Sequence, residues 1–197
     1  MQEQELSLFP LRTVLFPGAL LPLRIFESRY VDMVGRCLRS GASFGVVLIL
    51  EGSEAGEVAS MAQVGSSARI VDFESLPDGL LGLMCVGERR FRVLQRSQQS
   101  DGLHCAQVQW LAEPQATPLA AQFAPLVAPL RRVMDKLGSV GRFVEPDYQD
   151  SGWVSYRLAE LLPLDPATQQ RLLELDDSQE RLRLLAPLLE LPRGRVI

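Results

Sequence analysis

The apolar positions of this chain change their period once, and the change divides it. Up to about residue 112 they come in short runs broken by Gly, Pro and Asp; beyond about residue 118 they recur at helical spacing. The first run, LFPLRTVLFPGALLPLRIFESRY (8–30), contains Pro10, Pro17 and Pro22 together with Arg12, Arg24 and Arg29. A proline pushes the residue before it toward extended backbone, so Phe9, Phe16 and Leu21 are expected in strand-like segments at edges or bends. ESRYVDMVGRCLRSG then places Tyr30, Met33, Val34, Cys37 and Leu38 on one face of a helix, with Gly41 as its stop. FGVVLIL (44–50) is short and β-branched, which predicts an interior strand. EGSEAGEVAS (51–60) reads as an acidic, solvated loop, and QVGSSARIVDFE (63–74) resumes extended structure. Pro77-Asp78-Gly79 between two apolar runs marks a hairpin. LLGLMCV, GERRFRVLQR and, after the turn SQQSDG, LHCAQVQWL (103–111) continue the pattern, which predicts a small, strongly bent sheet or barrel with the helix at its end or side.

AEPQATP (112–118) carries two prolines in a polar stretch, and the strand signal ends there. The expected organisation is a β domain over 1–112, a linker over 113–118 and a helical bundle over 119–197. Pro125 and Pro129 predict a kink or a late start for the first of these helices, with its cleanest part after Pro129. DSGWVSYRLAELL ends at Pro163, the next helix has Asp165 as N-cap and Pro166 in its first turn, and the last has Asp177 and Glu180 in capping-box spacing. Trp153, Leu158, Leu161, Leu162, Leu172, Leu173, Leu182, Leu185, Leu188 and Leu189 form the stripe expected to build the bundle core.

Composition removes most chemistries. With 197 residues, 47% of them hydrophobic, the chain can fill a real core, and its net charge of −4 gives no general attraction for a polyanion. The prolines and arginines of the first run exclude a secretory signal and a spanning helix, so no membrane is expected. Cys37, Cys85 and Cys105 have no C-x-x-C spacing and lie in apolar surroundings, as buried thiols of a reducing, cytoplasmic protein. Lys136 is the only lysine and is not set in a phosphate-binding loop; no serine nucleophile is evident for it. His104 is the only histidine, which leaves no imidazole-built zinc site. Its neighbour Cys105 points to the opposite face of a strand and is not available to it as a nucleophile. Asp72, Glu74 and Asp78 gather near the hairpin, where the turn accounts for Asp78 and solvent for the others. No catalytic residue, metal ligand or cofactor is expected, and no binding residue can be named.

These pieces in this order resemble the amino-terminal, substrate-binding domain family of Lon protease. The resemblance is carried by the opening run with its paired FP steps and RY, by VGSSARI, LPDG, VGERRFRV and AQVQWL, and by RLAELLPLDPATQQRLLELDDSQERL in the helical part. It implies an α+β protein: a PUA-like β pseudo-barrel with one helix, followed by the α-helical bundle. It implies a free-standing, non-catalytic module that binds unfolded or extended polypeptide or a protein partner, since no ATPase or Ser-Lys protease sequence accompanies it. The rival reading is an RNA-binding PUA-like module using the arginine strand 89–96, with Phe91 stacking on bases. Alternation puts Phe91 opposite Arg90 and Arg92, as a core residue with solvated neighbours, and nucleic acid is disfavoured. The oligomeric state is left open.

Overall fold

The computed structural model describes residues 3–54, 58–113, 115–136 and 143–190. Seven strands and a helix come first: β1 (Glu3–Leu11), β2 (Leu20–Ile25), α1 (Ser28–Ser40), β3 (Phe44–Gly52), β4 (Val58–Met61), β5 (Val64–Ser75), β6 (Leu81–Gln98) and β7 (His104–Trp110). A 3-10 turn (Ala121–Leu126) then leads into α2 (Val127–Met134), α3 (Ser151–Leu161), α4 (Pro166–Glu174) and α5 (Ser178–Glu190). The fold is therefore mixed α/β, rich in strands toward the amino terminus and in helices after Trp110. Among the described residues no helix is long and apolar enough to cross a membrane.

Strand pairing closes on itself. β1 runs parallel to β3 and antiparallel to β7, β7 is antiparallel to β6, β6 to β5, and β5 to β3. β4 hangs on β3 outside this circuit, and β2 on β6. The length of β6, 18 residues, is what makes room for both: Leu81–Val86 pairs with β2, whereas Phe91–Gln98 pairs with β7. The hairpin half of β5 and β6 thus leaves the circuit as a three-stranded wing, β2–β6–β5. Gly65 lets the strands bend this tightly, because a Cβ there would stand 2.3 Å from the Val46 carbonyl oxygen.

Successive side chains of a strand point to opposite faces, and here both faces are covered. Leu6, Leu8, Val47, Phe91, Ala106 and Val108 belong to one small apolar cluster. Phe9, Leu11, Val46, Leu48 and Cys105, from the alternate positions, and Cys85, beyond the register shift in β6, belong to a larger one that also holds Tyr30 and Met33 of α1 and Val154, Leu172, Leu173 and Leu185 of the later helices. This explains why FGVVLIL is apolar without interruption. Phe16 meets Tyr156 of α3 with ring centroids 5.7 Å apart. α3, α4 and α5 each start on an aspartate: Asp150 accepts from the Trp153 amide at 2.8 Å, Asp165 from the Thr168 amide at 2.9 Å and Asp177 from the Gln179 amide at 2.8 Å.

Three local expectations need correction. The 51–60 segment is not wholly loop, because β3 runs to Gly52 and β4 starts at Val58, paired through Glu51 and Ser60. This hairpin lies outside the circuit, where polar side chains suit a strand. Leu38 is 42% exposed, one position beyond the buried face of α1, and Leu161 and Leu188 also face outward. The first later helix begins as the 3-10 turn around Pro125, as the prolines require; Leu137, whose spacing from Leu130 would continue its helical period, lies outside the described residues.

Candidate functional site

On the wing, three rows of side chains lie across three strands. Pro22 is opposite Met84 and Met84 opposite Asp72; Leu23, Leu83 and Phe73 form the next row; Arg24, Gly82 and Glu74 the third. Leu83 is buried toward the larger core, so the two outer rows face the other way. Gly82 has no side chain, and its place is the floor of a groove of about 600 Å³. Pro22, Met84, Leu76 and Phe143 give it apolar walls, and Arg24, Asp72 and Glu74 stand at its rim. A volume of this order lies within the range of small-ligand pockets. Phe73, 58% exposed, extends apolar surface along the same strand.

Arg24 crosses to the hairpin turn and forms an ion pair with Asp78. Asp72 accepts a hydrogen bond from the Phe73 amide at 3.0 Å. Glu74 has no ion pair among the described residues. The three carboxylates anticipated near the hairpin are therefore gathered at and beside one groove, and the residue that completes them, Arg24, comes from a strand 54 residues earlier than Asp78.

The outer edge of β2 is largely closed. The Gly87 amide donates to the Ala19 carbonyl at 2.9 Å, so odd-numbered residues of this strand bond toward β6 and Leu20, Pro22 and Arg24 turn their backbone outward. Pro22, in the middle of this outward-facing row, has no amide hydrogen, and the Glu160 carboxylate lies close enough to the Leu20 amide to be influenced by it. Burial pushes the Glu160 carboxyl upward, against the opposing effect of Arg157 and of that amide. Arg157 itself donates to the carbonyls of Pro17 at 2.7 Å and Gly18 at 2.5 Å, which fixes the start of β2 to α3.

The arginine strand is not one surface. Arg90 is wholly buried, contrary to its expected solvation, and donates to the carbonyls of Leu173 and Leu175 and to Asp176. Arg89 lies over the Trp110 ring at 4.7 Å, and only Arg92 and Arg96 are open to solvent without such a contact. Phe91 is buried edge-on to Trp110, as a core residue rather than a stacking platform. His104 is half-buried and its imidazole is held below its ordinary value by burial and then by Arg29 and Arg96. Cys105 is buried on the other face, with its thiol pushed up by burial. Lys136 is exposed at the end of a helical turn. No cluster of three or more metal-ligating side chains occurs among the described residues. Sequence reasoning missed the buried arginines 90, 157 and 181; the only signal was their position at apolar-facing steps of a strand or helix.

The family model of the ATP-dependent protease La (LON) substrate-binding domain matches residues 5–190. The Lon protease of Amoebophilus asiaticus is 25% identical over 85% of this chain and 21% of its own length. Lon protease 2 of Herpetosiphon aurantiacus is 29% identical over 94% of this chain and 23% of its own. The chain thus spans less than a quarter of the length of these curated relatives. The crystal structure of a Lon N-terminal domain protein from Xanthomonas campestris matches with a TM-score of 0.78 and 38% identity, covering 96% of this chain and 99% of that one. The N-terminal domain of Mycobacterium avium complex Lon protease shares the fold, with a TM-score of 0.63 at 19% identity over 93% of this chain and 97% of that one.

Proposed function

This chain belongs to the substrate-binding domain family of ATP-dependent protease La (Lon), and from that premise we propose that it is a non-catalytic module that binds unfolded or extended polypeptide in the groove of the β2–β6–β5 wing. The observation that carries the reading is the groove itself: apolar walls and about 600 Å³ of open space outside both packed cores. Folded proteins hide their apolar side chains, whereas an unfolded segment presents them together with a free backbone, so such a groove selects for the unfolded state.

In this reading the closed strand circuit is a PUA-like pseudo-barrel spanning 1–112, the segment 113–118 is a linker, and the helices of 119–197 act as a supporting bundle. Their apolar stripes are committed to packing, and Arg90 and Arg157 anchor them to β6 and to the start of β2. The protein works in the cytoplasm and itself carries out neither ATP hydrolysis nor peptide cleavage.

Fluorescence anisotropy with a labelled, permanently unfolded polypeptide and a labelled single-stranded RNA, at low and moderate salt, tests this. The expected result is polypeptide binding that persists at moderate salt. RNA binding that falls steeply with salt, without a polypeptide signal, would overturn it.

A further inference from the structure

The charges beside the groove floor are not paired with each other. Arg24 and Glu74 flank Gly82 from the two neighbouring strands, which separates their backbones by about 10 Å, two strand spacings. Arg24 is engaged by Asp78, while Glu74 stands exposed at the edge strand. On the side away from that ion pair the rim therefore carries the exposed carboxylate of Glu74. The centre of the groove is apolar. A Cβ built on Gly82 would meet Leu76 at 3.0 Å, and Met84 and Pro22 occupy the adjacent row. Met84 and Leu76 have flexible side chains that can adapt to an apolar group of varied shape.

Strand addition is the usual way for a sheet to take an extended peptide, and it needs a run of free amides and carbonyls. The outer edge of β2 does not supply one, since Pro22 in its middle has no amide hydrogen to give. At the other edge of the wing the Phe73 amide is taken by the Asp72 carboxylate, so a chain bound here is held by its side chains.

We propose that the groove reads an apolar residue followed by a basic one: the apolar side chain sits over Gly82 against Met84 and Leu76, and a lysine or arginine beside it reaches Glu74. This rests on the polypeptide reading above and narrows it from unfolded chains in general to apolar–basic segments. An acidic residue at the same place meets the like charge of Glu74 and is disfavoured.

Three labelled peptides of equal length test it by anisotropy at low salt: one with an apolar–Lys core, one with Glu in place of Lys, and the first with alternate amides N-methylated. The Lys peptide is expected to bind about fivefold more tightly than the Glu peptide, as suits a partly exposed charge pair exchanged for a repulsion. N-methylation is expected to change affinity less than about twofold, because few main-chain bonds are made. Glu74→Lys should reverse the Lys-over-Glu order with an unchanged urea midpoint, and Gly82→Leu should weaken all three peptides by filling the floor. If Gly82→Leu does not fold, the order reversal in Glu74→Lys decides. Equal binding of the Lys and Glu peptides, an order unchanged by Glu74→Lys, or loss of binding on N-methylation overturns this inference and leaves the polypeptide reading standing. Failure of all three peptides and of the unfolded polypeptide overturns both.

Discussion

Arg90, which has no exposed surface, holds the carboxylate of Asp176 at 2.7 Å although the Asp176 side chain is 84% exposed. The same guanidinium donates to the carbonyls of Leu173 at 2.9 Å and Leu175 at 3.2 Å. Arg181 reaches the Leu172 and Leu175 carbonyls at 3.1 and 2.6 Å. Two buried cations thus close the carboxyl end of α4, where unpaired carbonyls and the helix dipole favour positive charge. One of them comes from β6, so the strand that carries the wing also fixes the helices.

The two sides of this contact should differ in weight. Arg90→Ala strands the buried Leu173 carbonyl, leaves that of Leu175 to Arg181 alone and opens a cavity, and is expected to lower stability by about 3 kcal/mol. Asp176→Ala removes only a solvent-facing partner, at about 1 kcal/mol or less. Urea midpoints of both variants check this, and equal losses would show that the ion pair, not the helix-end carbonyls, carries the anchorage.

Close packing at Gly65 predicts a contrast with Gly79. A Cβ at Gly65 would lie 2.3 Å from the Val46 oxygen and 2.7 Å from Val47 Cγ1. Gly65→Ala is therefore expected to cost about 3 kcal/mol through overpacking. Gly79 has a φ of 79° and open space around it, so Gly79→Ala should cost about 1 kcal/mol from backbone conformation alone. Thermal or urea unfolding of the pair would expose a wrong ranking.

The lone histidine makes one segment of the pH profile attributable. Burial holds the His104 imidazole below its ordinary value of 6.5 in the folded chain. The unfolded chain then binds the proton more tightly. Stability contributed by neutral His104 is full above about pH 6.5 and is lost as pH falls from there through the folded value. His104→Gln should remove this part of the decline. Urea midpoints of the two proteins from about pH 7.5 to about pH 5.5 give the comparison, and the single imidazole resonance in NMR gives the folded value directly.

Thiol chemistry should report global unfolding. Burial, followed by the influence of Cys37, pushes the Cys85 thiol up to about 12, and all three cysteines are buried. The reactive thiolate is scarce and shielded at neutral pH. A thiol-specific reagent is expected to label Cys85 only as fast as the chain unfolds, with the rate rising in denaturant. Rapid labelling of Cys85 in the native protein would contradict its place in the core.

The features legible in the sequence are those set by a few neighbouring residues. The Pro77-Asp78-Gly79 turn is of this kind: Gly79 takes a positive φ and the Leu80 amide bonds to Asp78 at 3.2 Å. Asp165 with Pro166 starts α4, and Gly41 ends α1 in the left-handed region, for the same local reasons. The burial of Tyr30, Met33, Val34 and Cys37 follows from helical period alone, and the run FGVVLIL announced a strand covered on both sides.

What the tertiary structure decided are the placements that need two distant segments at once. Arg90 and Arg92 occupy equivalent steps of one strand, yet one is buried and the other exposed, because the end of α4 arrives over Arg90 from 83 residues away. The parallel pairing of β1 with β3, which closes the strand circuit, leaves no local pattern. Asp72, Glu74 and Asp78 were visible as acids near a turn, but a groove requires β2 to pair with β6 and bring Pro22 and Arg24 alongside Gly82. Period and turn chemistry are properties of neighbours along the chain. A polar group is buried, or a carboxylate left unpaired, according to which remote segment supplies its partner, and that is settled only when the strands and helices pack.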